Sequence, residues 1–221
     1  MRKLAWLILL LPILVTGCHH RIGSEIVGSG NRQVQKREIP AFTSISTEGA
    51  FTIEITCQKE PSLEVEGDDN VLPFVKAELS GNVLHLTNSK SYSVSEPVKF
   101  KISVPNLEGL SVSGAGKIDI KGMNNEKFEI DSKGAPSITV SGKTEVINID
   151  TKGAGKIDTH NLRALRAVVD SQGVSQVELD VAEQLDVTVS GPSSVTYEGD
   201  PVVNKTINGP GKVERRGGEG A

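Results

Sequence analysis

An internal repeat of about 19 residues constrains the fold more than any other feature of the sequence. Six short stretches, the first at Ser113, share a glycine that is followed four positions later by Ile or Val. These glycines are 18 to 20 residues apart and are Gly114, Gly134, Gly153, Gly173, Gly191 and Gly209. A repeat of this length without a helical pattern is typical of a solenoid, whose repeats stack only on their neighbours.

Aliphatic residues alternate with polar residues on both sides of each glycine. Four positions before it, the aliphatic column consists of Leu110, Ile130, Ile149, Val169 and Val187. This period of two indicates strands with one face inward, and a glycine between strands permits a tight bend where the next coil passes closely. The sequence therefore predicts an all-β fold, a parallel β-helix (β-solenoid) with coils of about 19 residues and the six glycines at its corners.

One of these stretches, KGAGKID from Lys152 to Asp158, looks like a phosphate-binding loop. A P-loop, however, needs the pattern G-x-x-x-x-G-K-[ST] between a strand and a helix. Gly153-Ala154-Gly155-Lys156 is shorter, is followed by Ile157 and belongs to the repeat. We interpret it as a structural corner and expect no nucleotide to bind.

The amino terminus predicts an exported lipoprotein. An apolar run at residues 4–15 follows two basic residues. It is shorter than the roughly 20 residues that a membrane-spanning helix needs, and it fits a signal peptide. The run ends in Val-Thr-Gly-Cys18, which resembles a bacterial lipobox and implies cleavage after residue 17 and acylation of Cys18. The alternative is an ordinary signal peptide with an incidental cysteine.

The predicted location is the cell envelope, with the protein attached to a membrane through the lipid on Cys18. Two or more acyl chains on one residue are enough to attach a protein stably to a membrane. His19, rather than an aspartate, follows Cys18. By the sorting rule of enteric bacteria this favours the outer membrane of a Gram-negative bacterium.

Four segments are expected along the chain. Residues 1–17 are the signal peptide, and residues 18–35 are the lipidated cysteine with a polar, flexible tether. Residues 36–213 are the β-helix domain, whose first part alternates less regularly and predicts a less regular N-terminal β layer with a short helix or turn at 70–79. Residues 214–221 are a disordered tail.

Charge and cysteine content exclude several classes of protein. The full sequence has 28 acidic residues against 24 basic ones, and two of the basic residues are removed with the signal peptide. An acidic chain argues against a nucleic-acid partner, since a basic face is the usual footprint of nucleic-acid binding. With Cys18 acylated, Cys57 stands alone, and it ends an alternating apolar run. We expect it to be a small buried side chain rather than a reactive thiol.

Three aspartates provide the main candidate ligand site. Asp131, Asp150 and Asp170 each stand three positions before a corner glycine, so they should stack on successive coils about 5 Å apart. Lys133 and Lys152 beside them could neutralise the repulsion between the carboxylates. We favour such a solvated ladder, and the alternative is a cation or ligand site, because hard oxygen ligands suit a divalent cation.

An enzyme is the alternative function to weigh, because parallel β-helices also include enzymes that cleave polysaccharides. Two carboxylates about 5–5.5 Å apart suit a retaining glycosidase, but a sugar cleft also needs aromatic platforms. The only aromatic residues in the repeats are Phe128, which is predicted to point inward, and Tyr197. His85 and His160 have no partners at ligand spacing, so we interpret both as surface residues. The sequence thus predicts no catalytic residue, no metal site and no cofactor.

The order of short motifs resembles a known bacterial family. The motifs are GSGN at 28–31, FTIEI at 51–55, LEVEGDDNVLPFV at 63–75 and VPNLEGLSVSGAGKIDI at 104–120. Together they are similar to the "putative autotransporter adhesin head GIN" domain, formerly a domain of unknown function, over nearly the whole mature chain. The resemblance implies a right-handed parallel β-helix, frequent occurrence on exported and lipid-anchored proteins, and no enzyme activity.

The expected function combines these observations. We expect a lipid-anchored envelope protein whose β-helix is a non-catalytic binding or structural module of adhesin type. Its expected partners are the membrane, through Cys18, and an envelope protein or a glycan. The alternative is a carbohydrate-active β-helix enzyme, a polysaccharide hydrolase or lyase.

Overall fold

Successive repeats stack in register as parallel strands and form a β-solenoid of about five turns in a computed structural model that describes residues 25–217. The predicted all-β solenoid is therefore confirmed. The signal peptide, Cys18, the first part of the tether and residues 218–221 lie outside the described residues. Within residues 25–217, no helix is long and apolar enough to cross a membrane.

Seventeen strands and one short 3-10 helix, Leu72–Phe74, make up the described chain. In chain order the strands are β1 (Ile26–Val27), β2 (Arg32–Arg37), β3 (Ser44–Glu48), β4 (Thr52–Cys57), β5 (Ser62–Asp68), β6 (Val75–Ser80), β7 (Val83–Asn88), β8 (Tyr92–Ser93), β9 (Lys99–Val104), β10 (Gly109–Gly114), β11 (Lys117–Gly134), β12 (Ser137–Gly153), β13 (Lys156–Gly173), β14 (Gln176–Ser190), β15 (Ser194–Glu198), β16 (Val202–Asn208) and β17 (Lys212–Arg215).

The solenoid has two faces, which we call face A and face B. Face A contains the residues before each corner glycine, in the strand order β16-β14-β13-β12-β11-β10-β3-β7-β6. Face B contains the residues after it, in the order β17-β15-β14-β13-β12-β11-β4-β9-β5-β2. The four long strands β11 to β14 belong to both faces, because each continues round the second corner of its coil.

The hydrophobic core lies between the two faces. The residues four positions after the corner glycines are at most 7% exposed: Ile118, Ile138, Ile157, Val177, Val195 and Val213. Phe128 points inward as predicted, and Phe51 and Phe100 pack edge to face with their ring centroids 5.1 Å apart. Burial of one such side chain stabilises the fold by about 1.5–3 kcal/mol, so stacking the coils provides the stability that a single coil lacks.

The stacked corner positions require glycine because a side chain there would collide with the backbone of the neighbouring coil. Gly134 adopts φ +119°, and a Cβ atom there would lie 2.4 Å from the carbonyl oxygen of Gly114. The same carbonyl accepts a hydrogen bond of 2.9 Å from the amide of Ala135. Gly114, Gly134, Gly153 and Gly173 pair in register from coil to coil.

Antiparallel strands end the parallel stacking at the N-terminal side. On face A, β6 pairs antiparallel with β7, and on face B β5 pairs antiparallel with β9 and then with β2. The predicted tether was therefore too long, since Ile26–Val27 and Arg32–Arg37 are strands. β2 is an edge strand with mostly exposed side chains, so its sequence lacks the alternation that marks a half-buried strand.

Two further boundaries differ from expectation. The segment 70–79 is helical only at Leu72–Phe74 and continues as strand β6. The spacing of its apolar residues does not distinguish a short helix from a strand, because both can bury the same residues. At the other end, Lys212–Arg215 is a strand, so the ordered chain extends past residue 213 into the segment predicted as tail.

Candidate functional site

A shallow trough crosses face A where two neighbouring strands carry small outward residues. Gly109 of β10 lies opposite Ser44 of β3, and Ser111 lies opposite Ser46. Two concave regions of about 650 and 210 Å³ meet there and share Ser44, Gly109 and Glu129. We call this continuous concavity the face A trough, and it is lined by Ser44, Ile45, Ser46, Val83, Asn106, Glu108, Gly109, Leu110, Ser111, Asn124, Asn125, Glu126, Lys127, Glu129 and Asp131.

Amide and carboxylate groups form the wider end of the trough. The Asn125 side-chain amide donates to the carbonyl of Leu107 at 2.6 Å, and that of Asn106 donates to Glu108 at 3.0 Å. The side-chain oxygens of Asn106 and Asn125 have no hydrogen-bond partner among residues 25–217. Asn125 lies on β11, whereas Asn106 and Glu108 lie in the segment between β9 and β10, and both unpaired amide oxygens are buried.

The carboxylate of Glu129 is held in its ionised form. Its pKa lies below the usual range, because Lys127 donates a hydrogen bond and contributes its charge, and Asn148 donates a second hydrogen bond. The Lys127 Nζ atom is 2.6 Å from Glu129 Oε1. An ionised, paired carboxylate can accept hydrogen bonds from a ligand, but it is not suited to act as a general acid.

The three predicted ladder aspartates do stack on adjacent coils of face A. Asp131 pairs with Asp150, and Asp150 pairs with Asp170, on β11, β12 and β13. Each has a compensating neighbour two residues later: Lys133 Nζ is 3.2 Å from Asp131, Lys152 Nζ is 3.1 Å from Asp150, and Gln172 Nε2 is 3.3 Å from Asp170. The Oδ1 atoms of Asp131 and Asp150 are buried and have no hydrogen-bond partner among residues 25–217, so the choice between a solvated ladder and a cation site stays a prediction.

Face B carries a cluster that the sequence did not indicate. Asp158 and His160 on β13 and Glu178 on β14 bring one potential ligand atom each to within 4.8 Å of one another. His160 Nδ1 is hydrogen-bonded to Asp158 Oδ1, and its Nε2 lies 2.8 Å from the side-chain amide of Asn161. The prediction that His160 has no partner at ligand spacing was wrong, because Asp158 is hydrogen-bonded to it and Glu178, paired with Asp158, lies within 4.8 Å.

Two basic side chains neutralise this cluster. Lys156 Nζ lies 2.7 Å from Glu178 and 3.8 Å from Asp158, and Arg216 lies 2.6 Å from Glu178. Partial burial raises the pKa of Asp158, but the hydrogen bonds from His160 and the positive charges nearby outweigh it, and the pKa is lowered. His85, by comparison, lies on β7 opposite Glu78 and is not part of such a cluster within the described chain.

A second arrangement of residues links the family motifs. The GSGN segment, residues 28–31, docks on the turn after β5. Asp68, which is 4% exposed, accepts a hydrogen bond of 2.9 Å from the amide of Gly30. Asp69 accepts from Ser29 Oγ at 2.6 Å and from the Asn31 side chain at 2.8 Å, and these bonds lower its pKa. Sequence reasoning recognised both motifs but not that they bind each other.

The remaining cysteine within the described residues is inert. Cys57 is a free, buried cysteine, as the alternating run predicted. Burial raises the pKa of its thiol to about 11. Because the thiolate is the nucleophile, a thiol with this pKa has little reactivity at neutral pH.

The fold and these surfaces define a class of glycine-cornered β-solenoid domains with rigid polar faces. The chain belongs to the family described as "Putative auto-transporter adhesin, head GIN domain", whose model matches residues 41–201. The predicted family is therefore confirmed. No curated protein matches the chain.

Solved structures share the fold. A "putative adhesin" from Bacteroides fragilis is 24% identical, with a TM-score of 0.72 over 86% of this chain and 99% of that one. A "putative adhesin" from Parabacteroides distasonis is 18% identical (TM-score 0.57, 87% and 100% covered), and a "putative lipid binding protein" from the same species is 19% identical (TM-score 0.54, 87% and 99% covered). At these identities the similarity shows the fold alone.

Proposed function

We propose that this protein is a lipid-anchored envelope protein whose GIN domain is a non-catalytic binding module of adhesin type. The lipobox-like sequence that ends at Cys18 supports the anchor and the outer-membrane location. The family, described as adhesin-like, supports a role at the cell surface or in the envelope. The module would hold a partner near the membrane to which Cys18 is attached.

The face A trough is the proposed binding surface. The observation that carries this assignment is its concavity, in which small residues on β3 and β10 leave space between Glu129 and Asp131 on one side and Val83 on the other. Its hydroxyl, amide and carboxylate groups can pair with the hydroxyls of a glycan without strand movement. Carbohydrate hydroxyls both donate and accept hydrogen bonds, which suits a lining of mixed polarity, so we favour a glycan over an envelope protein.

The electrostatics favour binding over polysaccharide cleavage. A glycosidase needs one carboxylic acid whose pKa is raised so that it can protonate the leaving group. Among the described carboxyl groups, those with a shifted pKa are Asp69, Glu129 and Asp158, and all three are lowered. The aspartates of the ladder are paired with neighbouring side chains. These features support the non-catalytic proposal over the enzyme alternative.

Binding to polysaccharides by two matched variants tests the proposal. Ser111→Trp fills the trough with an indole ring, whereas Thr188→Trp places the same ring in the same outward row of face A but outside the trough. We expect the Cys18→Ser protein, made soluble in this way, to bind purified envelope or host glycans. Ser111→Trp should weaken binding at least tenfold and Thr188→Trp should not. Equal binding by the two Trp variants would contradict the assignment of the trough.

A further inference from the structure

We propose that Asp158, His160 and Glu178 on face B form a binding site for a divalent transition-metal ion, with zinc as the best-matched ion. One imidazole nitrogen and two carboxylate oxygens lie within 4.8 Å of one another. Zinc binds such atoms at about 2.0–2.2 Å, which places tetrahedral ligands roughly 3.4 Å apart. Small side-chain rotations are enough to close that difference.

Strand pairing holds Asp158 and Glu178 side by side, and a hydrogen bond to Asp158 orients His160. Asp158 and His160 are two residues apart on β13 and therefore point to the same side of the strand. Glu178 is the direct cross-strand neighbour of Asp158. β13 is paired on both sides at Asp158, with Thr139 of β12 and Glu178 of β14, whereas His160 lies where both pairings shift register.

The identity of the ligands selects the kind of ion. Imidazole suits zinc, copper, iron and nickel, whereas calcium and magnesium prefer oxygen ligands alone. The two carboxylates carry a charge of −2, which balances a divalent cation. They are also largely removed from solvent, with side-chain exposures of 18% for Asp158 and 17% for Glu178, which strengthens their attraction to a cation.

Lys156 and Arg216 would compete with the ion for Glu178, and this competition predicts a specific effect of removing Lys156. Both contact Glu178, but their side chains are 45% and 46% exposed, so their charged ends can move into solvent. Surface ion pairs of this kind contribute about 0–1 kcal/mol. Arg216 would keep its second partner, Glu198, at 2.7 Å. Removing Lys156 should therefore tighten metal binding, whereas it would have no such effect on non-specific surface binding.

The test is zinc titration by calorimetry of the mature chain carrying His19→Ala and His20→Ala, so that the histidine pair near the anchor does not bind the metal. We expect one zinc ion per chain. His160→Ala and Glu178→Gln should each weaken binding at least tenfold. His85→Ala, which removes the only other histidine of this background, should leave binding unchanged.

Lys156→Ala should bind zinc several-fold more tightly than the background protein. Circular dichroism of each variant separates loss of the site from loss of the fold, and Glu178→Gln keeps the shape of the side chain. The proposal would be overturned by the absence of stoichiometric binding, by equal effects of His160→Ala and His85→Ala, or by weaker binding in Lys156→Ala.

Discussion

Arg216 in the last coil lies 2.6 Å from Glu178, a residue 38 positions earlier in the chain and two coils away. The same guanidinium contacts Glu198 at 2.7 Å, so one side chain joins three successive coils of face B. These carboxylates raise the pKa of Arg216, chiefly through the hydrogen bond to Glu198. Arg216 therefore acts as a latch on the open C-terminal end of the solenoid.

Removal of the Arg216 side chain should loosen only the last coils of the solenoid. Arg216→Ala should speed amide hydrogen exchange in β17 and β15 while leaving β12 unchanged, because the contacts lie on the solvent side of the last coils. The control is Arg215→Ala, which removes a neighbouring guanidinium that contacts the highly exposed Asp200 instead. Uniformly faster exchange in all strands, or no change in β17, would contradict the assignment of a local latch.

The corner glycines predict a large difference between two alanine substitutions. Gly134→Ala should lower the free energy of unfolding by about 2–4 kcal/mol, because the new Cβ would meet the backbone of Gly114 at 2.4 Å. Gly81→Ala is the control, since Gly81 also has positive φ, +60°, but open space around it. It should cost only about 1–2 kcal/mol. If urea denaturation gave equal losses of unfolding free energy for the two variants, the positive φ angle, and not the close approach of the coils, would explain why glycine occupies the corners.

The docked GSGN segment should respond to acid. The pKa of Asp69 is lowered in the folded protein, mainly by the hydrogen bond from Ser29 and then by that from Asn31. Its contribution is therefore present above the ordinary pKa of 3.8 and is lost as the pH falls through the folded value. We expect amide exchange or NMR signals of residues 28–31 to report release of the segment below about pH 4. Asp69→Asn should abolish this pH dependence, and a transition that persists in that variant would assign it to another group.

Lys205 should keep the open edge of face A from pairing with a second copy. It lies in the middle of β16, which within residues 25–217 pairs only with β14, and it takes the place of an aliphatic residue opposite Val187. Two copies that met along β16 in antiparallel fashion would bring the two Lys205 side chains together, and charges on an edge strand discourage such pairing. Lys205→Val should therefore sediment partly as a dimer, while Lys205→Arg stays monomeric. Unchanged sedimentation of the valine variant would exclude this role.

The lipid anchor predicts different effects for the two cysteines. Cys18→Ser should move the protein from the membrane fraction to the soluble fraction and should abolish incorporation of labelled palmitate. Cys57→Ser should remain in the membrane fraction, because Cys57 is buried in the domain. Membrane association of the Cys18→Ser protein would contradict the proposed anchor.

Much of the solenoid could be predicted because its determinants are local. A glycine, an aliphatic residue four positions later and a period of two are all visible within one repeat, and they define the corners and the inward columns. The antiparallel cap was less visible, since β2 exposes most of its side chains and pairs with β5 through backbone hydrogen bonds. Such pairing leaves no hydrophobic pattern in the sequence.

The candidate sites depended on register, which the sequence did not provide. Ser44 and Gly109 are far apart in the chain and meet only because β3 stacks on β10. The signal that could have revealed the trough was the coincidence of two small-residue pairs, Ser44/Ser46 and Gly109/Ser111. The proximity of Glu178 to Asp158 and His160 was hidden similarly, because it depends on the pairing of Asp158 with Glu178 on the next coil.

The most direct test of the account is a hydrogen-exchange footprint of the domain with a bound envelope or host glycan. The account predicts protection confined to the face A trough, in the segments around Ser44, Gly109 and Asn125. Strands β14 and β16 of the same face should exchange as in the free protein. Protection on face B or on the C-terminal coils, with none around Gly109, would contradict the assignment of the trough as the binding surface.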